Sequence, residues 1–267
     1  MTARAAHDTH REQAEGVRIA KLIARAGLCS RRDAEKLVAE GRVRVDGERV
    51  TTAGLRVRPG QRVEVDGKPL PEPEPPRLFR FHKPRGVLVA ARDPQGRRTI
   101  YDLLPAGLPR LMPVGRLDFN SEGLLLLTND GELKRRLELP ATGWVRRYRV
   151  RAHGRADPEA LARLRQGVVI DGVRYGPIEV AIERGEGANR WYTVALREGR
   201  NREVRRVFEH LGLEVNRLIR VAYGPFQLGR LPRGAVEEVP AKVMREQLGG
   251  LLPAPPVSPH RRRRRIA

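Results

Sequence analysis

The sequence is organised around one stretch, VGRLDFNSEGLLLLTNDG, which runs from Val114 to Gly131. Its four consecutive leucines, Leu124 to Leu127, are followed by Thr-Asn-Asp-Gly, and this pattern predicts a short buried strand with a sharp end. The polar segment before the strand contains Arg116 and Asp118. In an extended chain these two side chains point the same way, so they could share a site in which the guanidinium keeps the carboxylate ionised. The residues alone favour the alternative, a structural Arg–Asp pair that fixes a loop.

The chain has a large excess of positive charge. Its 267 residues include 53 Lys and Arg against 32 Asp and Glu, a formal net charge of +21 at pH 7. Solubility does not require this excess, so the composition indicates a polyanionic partner, with nucleic acid the first candidate and an anionic membrane surface the second. No apolar run approaches the ~20 residues of a membrane span. The first residues lack the apolar segment of a signal peptide, so we expect a cytoplasmic protein without a membrane partner.

The sequence offers no set of metal ligands. A single cysteine, Cys29, excludes an internal disulfide and a cysteine-based zinc cluster. The six histidines show no HxxxH or HxH spacing, so a protein-bound metal is not expected. The sequence contains no phosphate-binding P-loop and no GxGxxG after a predicted strand.

The N-terminal part predicts two helices followed by a hairpin. Apolar residues recur at helical spacing from Val17 to Ala26, and Ser30, three residues before an aspartate, fits the N-cap of a second helix. Residues 42–50, RVRVDGERV, alternate around the turn pair Asp-Gly. Arg31 and Arg32 fall in the first turn of the second helix, where positive charge opposes the helix dipole. A bound phosphate would reverse that penalty, whereas the plain alternative is solvated charge.

The C-terminal part predicts an irregular alternation of strands and helices. Residues 79–87 predict a strand, a turn and a second strand. The stretch WVRRYRVRAHG, residues 144–154, alternates so that Tyr148 lies on the face opposite three arginines. Residues 200–211 predict a helix with an apolar stripe, and its flank carries Arg202, Arg205, Arg206 and Glu209. Several links are short enough for hairpins, so the pattern predicts an α+β fold with a mixed, mainly antiparallel sheet flanked by helices.

Composition divides the chain into five segments. The stretch PLPEPEPP, residues 69–76, has five prolines in eight positions and predicts an extended spacer. We therefore predict a disordered tail at 1–15, a small α/β domain at 16–67, a linker at 68–77, a larger domain at 78–250 and a basic tail at 251–267. The last segment includes an uninterrupted run, Arg261 to Arg265, that we expect to stay disordered until it meets RNA.

Two stretches resemble known families. GRLDFNSEGLLLLTNDGEL, Gly115 to Leu133, resembles the active-site motif of the RsuA/RluB family of ribosomal-RNA pseudouridine synthases. VRIAKLIARAGLCSRRDAEKLVAEGRVRVDGERV, residues 17–50, resembles an S4 RNA-binding domain. The combined resemblance covers residues 16–242 and implies a pseudouridine synthase fold preceded by an S4 domain. It also implies RNA binding.

The family resemblance assigns roles to particular residues. It implies that Asp118 is catalytic, that Tyr148 lies against the target base, and that Val204 packs on that tyrosine while Arg205 pairs with Asp118. From the residues alone Tyr148 would be a half-buried strand tyrosine, and Arg202 or Arg206 could replace Arg205 as the partner. Arg116 is expected to support the site, either in the space left by a flipped nucleotide or on a phosphate. The predicted RNA-binding residues are Arg31, Arg32, Lys36, Arg42, Lys83, Arg85, Arg202 and Arg206.

The resemblance implies the isomerisation of a specific uridine in ribosomal RNA. The stretch GEGANRWYTVALREGRNREVRR, residues 185–206, is closer to the RluB branch, which acts on large-subunit RNA, than to the small-subunit RsuA branch. The alternatives are a small-subunit synthase and, in another class, a non-catalytic RNA-binding assembly factor. Only the linkage between base and sugar changes, so no cofactor is expected. Asp118 could attack the base, attack C1′ or remove a proton at C2′. The expected partner of the monomer is ribosomal RNA or a pre-ribosomal particle.

Overall fold

The computed structural model describes residues 16–183 and 187–253. The predicted N-terminal tail and the run Arg261 to Arg265 lie outside the described residues. Within the described ranges, the helices are too short and too polar to traverse a bilayer.

The first part of the chain forms a small α/β unit with its own core. Its elements are β1 (Val17–Arg18), α1 (Ile19–Arg25), α2 (Arg31–Ala39), β2 (Val43–Val45), β3 (Glu48–Val50), β4 (Arg56–Val57), β5 (Val63–Val65) and β6 (Lys68–Pro69). The two helices pack on a four-stranded sheet of order β3-β2-β5-β6, and β1 pairs with β4 as a second, two-stranded sheet. The core consists of apolar residues at helical spacing on α1 and α2 and at alternate positions on the strands.

The helix cap and the hairpin turn predicted for this unit are both present in the structure. The Ser30 hydroxyl accepts a hydrogen bond from the backbone N–H of Asp33 at 3.1 Å, which confirms the predicted N-cap of α2. Asp46 and Gly47, with φ of 52° and 88°, form the tight turn of the β2–β3 hairpin. Positive φ at both positions is what this turn requires, and aspartate and glycine adopt it readily.

The predicted linker boundary at residue 68 is wrong by a few residues. Lys68 and Pro69 pair with β5 as a further strand, and the Leu70 backbone N–H donates to Val63 O at 2.9 Å. The linker is therefore shorter than its proline content suggested. At its other end the Asn129 side chain accepts from the Arg77 N–H at 2.7 Å and donates to Pro75 O at 3.0 Å, so the second unit holds the last linker residues.

The second part of the chain is built on a nine-stranded sheet. The strands are β7 (Leu78–Lys83), β8 (Met112–Val114), β9 (Glu122–Thr128), β10 (Arg146–His153), β13 (Ile178–Ile182), β14 (Asn189–Leu196), β15 (Glu214–Tyr223), β16 (Phe226–Gln227) and β17 (Val236–Glu238), while β11 (Val168–Ile170) and β12 (Val173–Tyr175) form a separate hairpin. Seven strands follow the order β13-β14-β10-β15-β9-β7-β17, while β16 pairs with β15 and β8 pairs with β9. All pairs are antiparallel except β9 with β15, which confirms the mixed, mainly antiparallel sheet.

Helices cover both faces of this sheet. They are α3 (Gly131–Glu138), α4 (Pro158–Arg163), α5 (Glu203–His210) and α6 (Ala241–Leu248). Leu125 and Leu127 pack in the core that contains α4 and α5, whereas Leu124 and Leu126 pack in the core that contains α3 and α6. Alternate side chains of β9 thus enter two different cores, and all seven residues of the strand are buried. This arrangement explains the unbroken leucine run.

The predicted second strand after residues 79–83 does not form. Val87 lies in a loop, and the neighbouring Leu88 makes only an isolated bridge to Thr99. The loop runs through Pro84 and Gly86, and a proline lacks the N–H that a regular ladder needs. By contrast, the alternation predicted for β10 is confirmed, because Tyr148 is buried while Arg147 is exposed.

Candidate active site

Asp118 lies in the loop that joins β8 to the central strand β9. The Ser121 N–H donates to Asp118 O at 3.0 Å and closes a turn over residues 118–121. Leu117 is buried in the core beneath the loop, Asp118 is half-buried, and Arg116 and Phe119 are exposed. The buried leucine holds the loop against the sheet and leaves the Asp118 side chain partly exposed.

Lys83 fixes this turn by donating hydrogen bonds to its backbone. Its ammonium donates to the carbonyl oxygens of Ser121 at 2.8 Å, Asp118 at 3.1 Å and Phe119 at 3.4 Å, and also to Pro84 O at 3.0 Å. The residue is completely buried. We predicted Lys83 as an RNA-binding residue, and the structure corrects this: its charge is used inside the protein, on the backbone oxygens of the turn.

Burial also changes the protonation of Lys83. Desolvation lowers the pKa of Lys83 to about 8, although the nearby charges of Asp118 and Glu122 raise it. The ammonium is thus a charged donor at neutral pH that loses its proton in mildly alkaline solution.

Arg205 holds the turn from the side of helix α5. Its guanidinium donates to Asn120 O and to Val215 O, both at 3.2 Å, so it joins the loop, the helix and the start of β15. We predicted that Arg205 lies on the flank of its helix, but only 8% of its surface is exposed. The helix turns this residue toward the cleft, whereas the adjacent Arg206 is exposed and donates to the Tyr175 hydroxyl at 3.4 Å.

The strand register places two of the predicted site residues, Lys83 and Tyr148, in one row across the sheet. Lys83 pairs with Gly123, Gly123 with Arg220, and Arg220 with Tyr148. Neighbouring strands are ~4.8 Å apart, so Tyr148 lies about two strand spacings from the residue that ends the Asp118 loop. Gly123 is required in this row because a β-carbon there would lie 2.3 Å from Arg220 O, and its φ is +110°.

Tyr148 and Val204 form the apolar part of the site. Tyr148 is 9% exposed and Val204 is 6% exposed, and both belong to the core that contains Leu117. The tyrosine ring is therefore fixed by packing, with a small part exposed. A fixed aromatic surface near a carboxylate is suited to binding a planar base.

Asp118 has cations around it without a direct ion pair. Among the described residues, no Lys, Arg or His nitrogen lies within 4.0 Å of its carboxylate, so Arg116 and Arg205 do not contact it. Burial lowers the pKa of Arg205, as do the charges of Arg202 and Arg85, while Asp118 raises it. Arg85 and Arg202 thus both lie close enough to Arg205 to act on its charge. The predicted Arg116–Asp118 contact is not formed, because the chain turns at Asp118 and is not extended.

The remaining predicted RNA-binding residues are at the surface. Arg202 caps α5 with a φ of +53° and forms an ion pair with Glu209 at 3.6 Å. In the first unit, Arg42 forms a bidentate hydrogen-bonded pair with Asp66 at 2.6 and 2.7 Å. The predicted residues that are exposed to solvent are Arg31, Arg32, Lys36, Arg42, Arg85, Arg202 and Arg206.

Two supporting residues were not singled out from the sequence. Glu122, 2% exposed, forms ion pairs with Arg217 and, at 3.5 Å, with Arg233. The buried Arg220 donates to Leu124 O at 2.8 Å. A charged residue two positions before the buried leucine run was a usable signal for Glu122, since buried carboxylates are normally paired. In residues 16–183 and 187–253, no three His, Cys, Asp or Glu side chains are grouped to hold a metal.

Comparison with known proteins agrees with this geometry. A family model described as RNA pseudouridylate synthase matches residues 77–210, and an S4 domain model matches residues 17–63. A crystal structure titled as a pseudouridylate synthase superposes with a TM-score of 0.61 at 26% identity, covering 87% of this chain and all of that chain.

Named relatives extend the similarity over most of the chain. An "Uncharacterized RNA pseudouridine synthase" of Rickettsia felis is 44% identical over 85% of this chain and 98% of its own length. The "Ribosomal large subunit pseudouridine synthase B" of Haemophilus influenzae is 44% identical over 86% of this chain and 67% of that protein. The protein of the same name from Salmonella typhimurium is 42% identical over 90% of this chain and 84% of that protein. The chain therefore belongs to the RNA pseudouridylate synthase family and carries an S4 RNA-binding domain.

Proposed function

We propose that this RNA pseudouridine synthase acts on a uridine of large-subunit ribosomal RNA and that Asp118 is its catalytic residue. The site assignment is supported by the turn over residues 118–121, to which Lys83 and Arg205 both donate hydrogen bonds, and by the position of Tyr148 in the same row of the sheet as Lys83. The large-subunit target is supported by the relatives from Haemophilus influenzae and Salmonella typhimurium, whose names specify it. The proposal includes that the enzyme acts as a monomer in the cytoplasm, on ribosomal RNA or an assembling particle.

The proposed reaction requires only a few chemical groups from the enzyme. The C1′–N1 bond of uridine breaks and a C1′–C5 bond forms, so the enzyme must supply a carboxylate, a surface for the detached uracil and a pocket that retains it. In this proposal Asp118 is the carboxylate, Tyr148 is the surface and Val204 closes the pocket. Because the target must leave the helical stack, contacts elsewhere have to offset a cost of a few kcal/mol.

The basic residues divide into two groups in this proposal. Arg205 positions the turn, whereas Arg85, Arg116, Arg202 and Arg206 contact phosphates around the flipped nucleotide. In the S4 domain, the exposed side chains of Arg31, Arg32, Lys36 and Arg42 bind the RNA backbone away from the site. Arg31 and Arg32 lie at the N-terminus of α2, where backbone N–H groups add to the attraction for phosphate.

The test is the substitution Asp118→Asn, which keeps the size and hydrogen-bonding capacity of the side chain and removes its charge. Pseudouridine formation on ribosomal RNA from cells lacking this gene should be abolished, while the melting temperature and RNA affinity stay near those of the unmodified enzyme. Asp171→Asn serves as the control, since Asp171 is an exposed turn residue at a φ of 50° that asparagine also adopts.

The two parts of the proposal can fail separately. Appreciable single-turnover activity of folded Asp118→Asn would reject the catalytic assignment. New pseudouridines confined to small-subunit RNA, when both ribosomal RNAs are supplied to the unmodified enzyme, would reject the large-subunit target.

A further inference from the structure

Phe119, the residue after Asp118, differs from every other aromatic residue of this protein. The chain has five Phe, five Tyr and two Trp residues. All of them lie in the described ranges, and Phe119, at 39% exposure, is the only exposed one. Within those ranges its ring makes no stacking contact with another ring and no cation–π contact.

The backbone of Phe119 is held rigidly although its ring is open to solvent. Phe119 occupies the second position of the turn over residues 118–121. Its carbonyl oxygen accepts from the Gly86 N–H at 2.9 Å and from the Lys83 ammonium at 3.4 Å. Because the backbone is fixed, binding restricts only the two side-chain torsions of Phe119 and costs little conformational entropy. This low cost makes aromatic residues good contact residues.

The surroundings of the ring indicate what would cover it. Arg205 lies within electrostatic range of Arg85, Arg202 and Asp118, and Arg116 lies exposed two residues before Asp118 in the same loop. An apolar protein surface would have to desolvate these charges, whereas RNA supplies phosphates for the arginines and flat base surfaces for the ring.

We propose that Phe119 is a nucleobase-binding site that stacks on an unpaired base next to the target uridine. This inference rests on the proposed function, because it places the target uracil on Tyr148. That tyrosine is fixed by packing and 9% exposed, so it has one edge available for the reacting base. Phe119 lies on the solvent side of the turn and therefore takes a different base. Flipping a uridine leaves a neighbouring base with an open face, and stacking on Phe119 restores the lost contact.

The test compares substitutions of Phe119 that keep or remove an aromatic ring. One aromatic–base stack corresponds to roughly 5- to 150-fold in binding. Phe119→Ala and Phe119→Leu should weaken binding to large-subunit ribosomal RNA from cells lacking this gene by a factor in this range, whereas Phe119→Tyr and Phe119→Trp should bind like the unmodified enzyme. Leu139→Ala is the control, since Leu139 is also apolar and 44% exposed but lies at the end of α3.

The binding titrations are carried out in the Asp118→Asn background, so they do not depend on turnover and separate this inference from the proposed function. In Phe119→Trp, the added tryptophan should lose fluorescence on RNA binding beyond the change seen with Trp144 and Trp191 alone. Equal binding by Phe119→Ala and the parent would overturn the inference. The inference would also be overturned if Phe119→Tyr and Phe119→Trp lost as much RNA affinity as Phe119→Leu. A binding loss confined to the two non-aromatic variants supports it, whatever the catalytic result.

Discussion

The ammonium of Lys83 lies 2.8 Å from the carbonyl oxygen of Ser121, and both residues are buried. A single side chain thus supplies the donor for several oxygens of the turn that carries Asp118. Replacing it by Lys83→Met keeps much of the apolar stem and removes the donor. Hydrogen bonds to charged groups contribute about 1.5–3 kcal/mol each, so single-turnover activity should fall roughly tenfold or more.

RNA affinity should change little in Lys83→Met, because the exposed arginines dominate it. Lys242→Met is the matched control, since Lys242 is exposed on α6. Unchanged turnover in Lys83→Met would show that the turn keeps its geometry without this donor.

The lowered pKa of Lys83 predicts opposite pH trends for stability and activity. The pKa is about 8 in the folded protein, against an ordinary value of 10.5 for a lysine in the unfolded chain. Between these values the unfolded chain binds the extra proton, so the contribution of Lys83 to the free energy of unfolding increases as pH rises from about 8 toward 10.5. Turnover should fall over the same range, because the turn loses its charged donor.

The measurement is a comparison of the unmodified enzyme with Lys83→Met across this pH range. The difference in denaturant-derived stability between the two should rise with pH, and the alkaline decrease in activity should be absent from the variant. An identical alkaline decrease in both proteins would assign it to another group.

The close approach of strands β9 and β15 predicts a large effect at Gly123. A β-carbon there would lie 2.3 Å from Arg220 O and 2.7 Å from Arg220 N, and neither backbone atom can move without opening the pair. Gly123→Ala should therefore destabilise the protein by at least ~2–3 kcal/mol through strain and overpacking, measured by denaturant unfolding. Gly131→Ala is the control, because its β-carbon would meet only Met112 Cε at 3.8 Å. Similar stability of the two variants would contradict the required glycine.

Arg205 and Arg206, which are adjacent on α5, allow the same substitution to be compared at a buried and an exposed position. Arg205→Lys retains the charge but cannot donate to Asn120 O and Val215 O as a fork. Its turnover should fall by roughly 10- to 100-fold, the equivalent of one or two charge-assisted hydrogen bonds. Arg206→Lys should keep near-normal turnover, since Arg206 is exposed and donates to the Tyr175 hydroxyl, away from the Asp118 turn. Equal losses in the two variants would mean that the hydrogen bonds of Arg205 to Asn120 O and Val215 O do not position the turn.

The arginine run at the C-terminus is expected to act on affinity alone. Changing Arg261 to Arg265 to glutamine should weaken RNA binding and flatten its salt dependence, because each lost phosphate contact removes ~0.7–0.9 from the log–log slope. Turnover on saturating RNA should persist. Titrations at several salt concentrations measure the slope, and an unchanged slope would show that the run does not contact the RNA backbone.

The sequence predicted the features of this protein that depend on near neighbours. The leucine run of β9, the cap at Ser30 and the Asp-Gly turn of the β2–β3 hairpin are set by spacing within a few residues. Backbone conformation and burial periodicity at these positions follow from the side chains themselves. For that reason the amino-acid sequence alone predicts the α+β class and the position of the Asp118 loop.

The sequence did not predict which lysine and arginine side chains are buried in the protein. Lys83 stands in the basic stretch Lys-Pro-Arg-Gly and resembles a surface residue, yet it is buried by a loop that lies 35 to 38 residues away. Arg205 and Arg206 have the same type and adjacent positions, and only the docking of α5 on the sheet decides which one faces the cleft. The contact of Arg116 with Asp118 was inferred on the assumption that the chain is extended at these residues. The chain instead turns at residues 118–121, so the assumption does not hold.

The pairing of β9 with β15 has a consequence for how the enzyme is made. Arg220 bonds Leu124 across 96 residues of chain, and Arg205 bonds Asn120 across 85. Domains are synthesised from the N-terminus, and contacts between distant residues form late. While the ribosome is still producing the chain, Asp118 has emerged but lacks the helix and strand that hold its turn. Modification of RNA therefore begins only after translation has passed residue 220, so a prematurely ended chain can carry a finished S4 domain without an assembled active site.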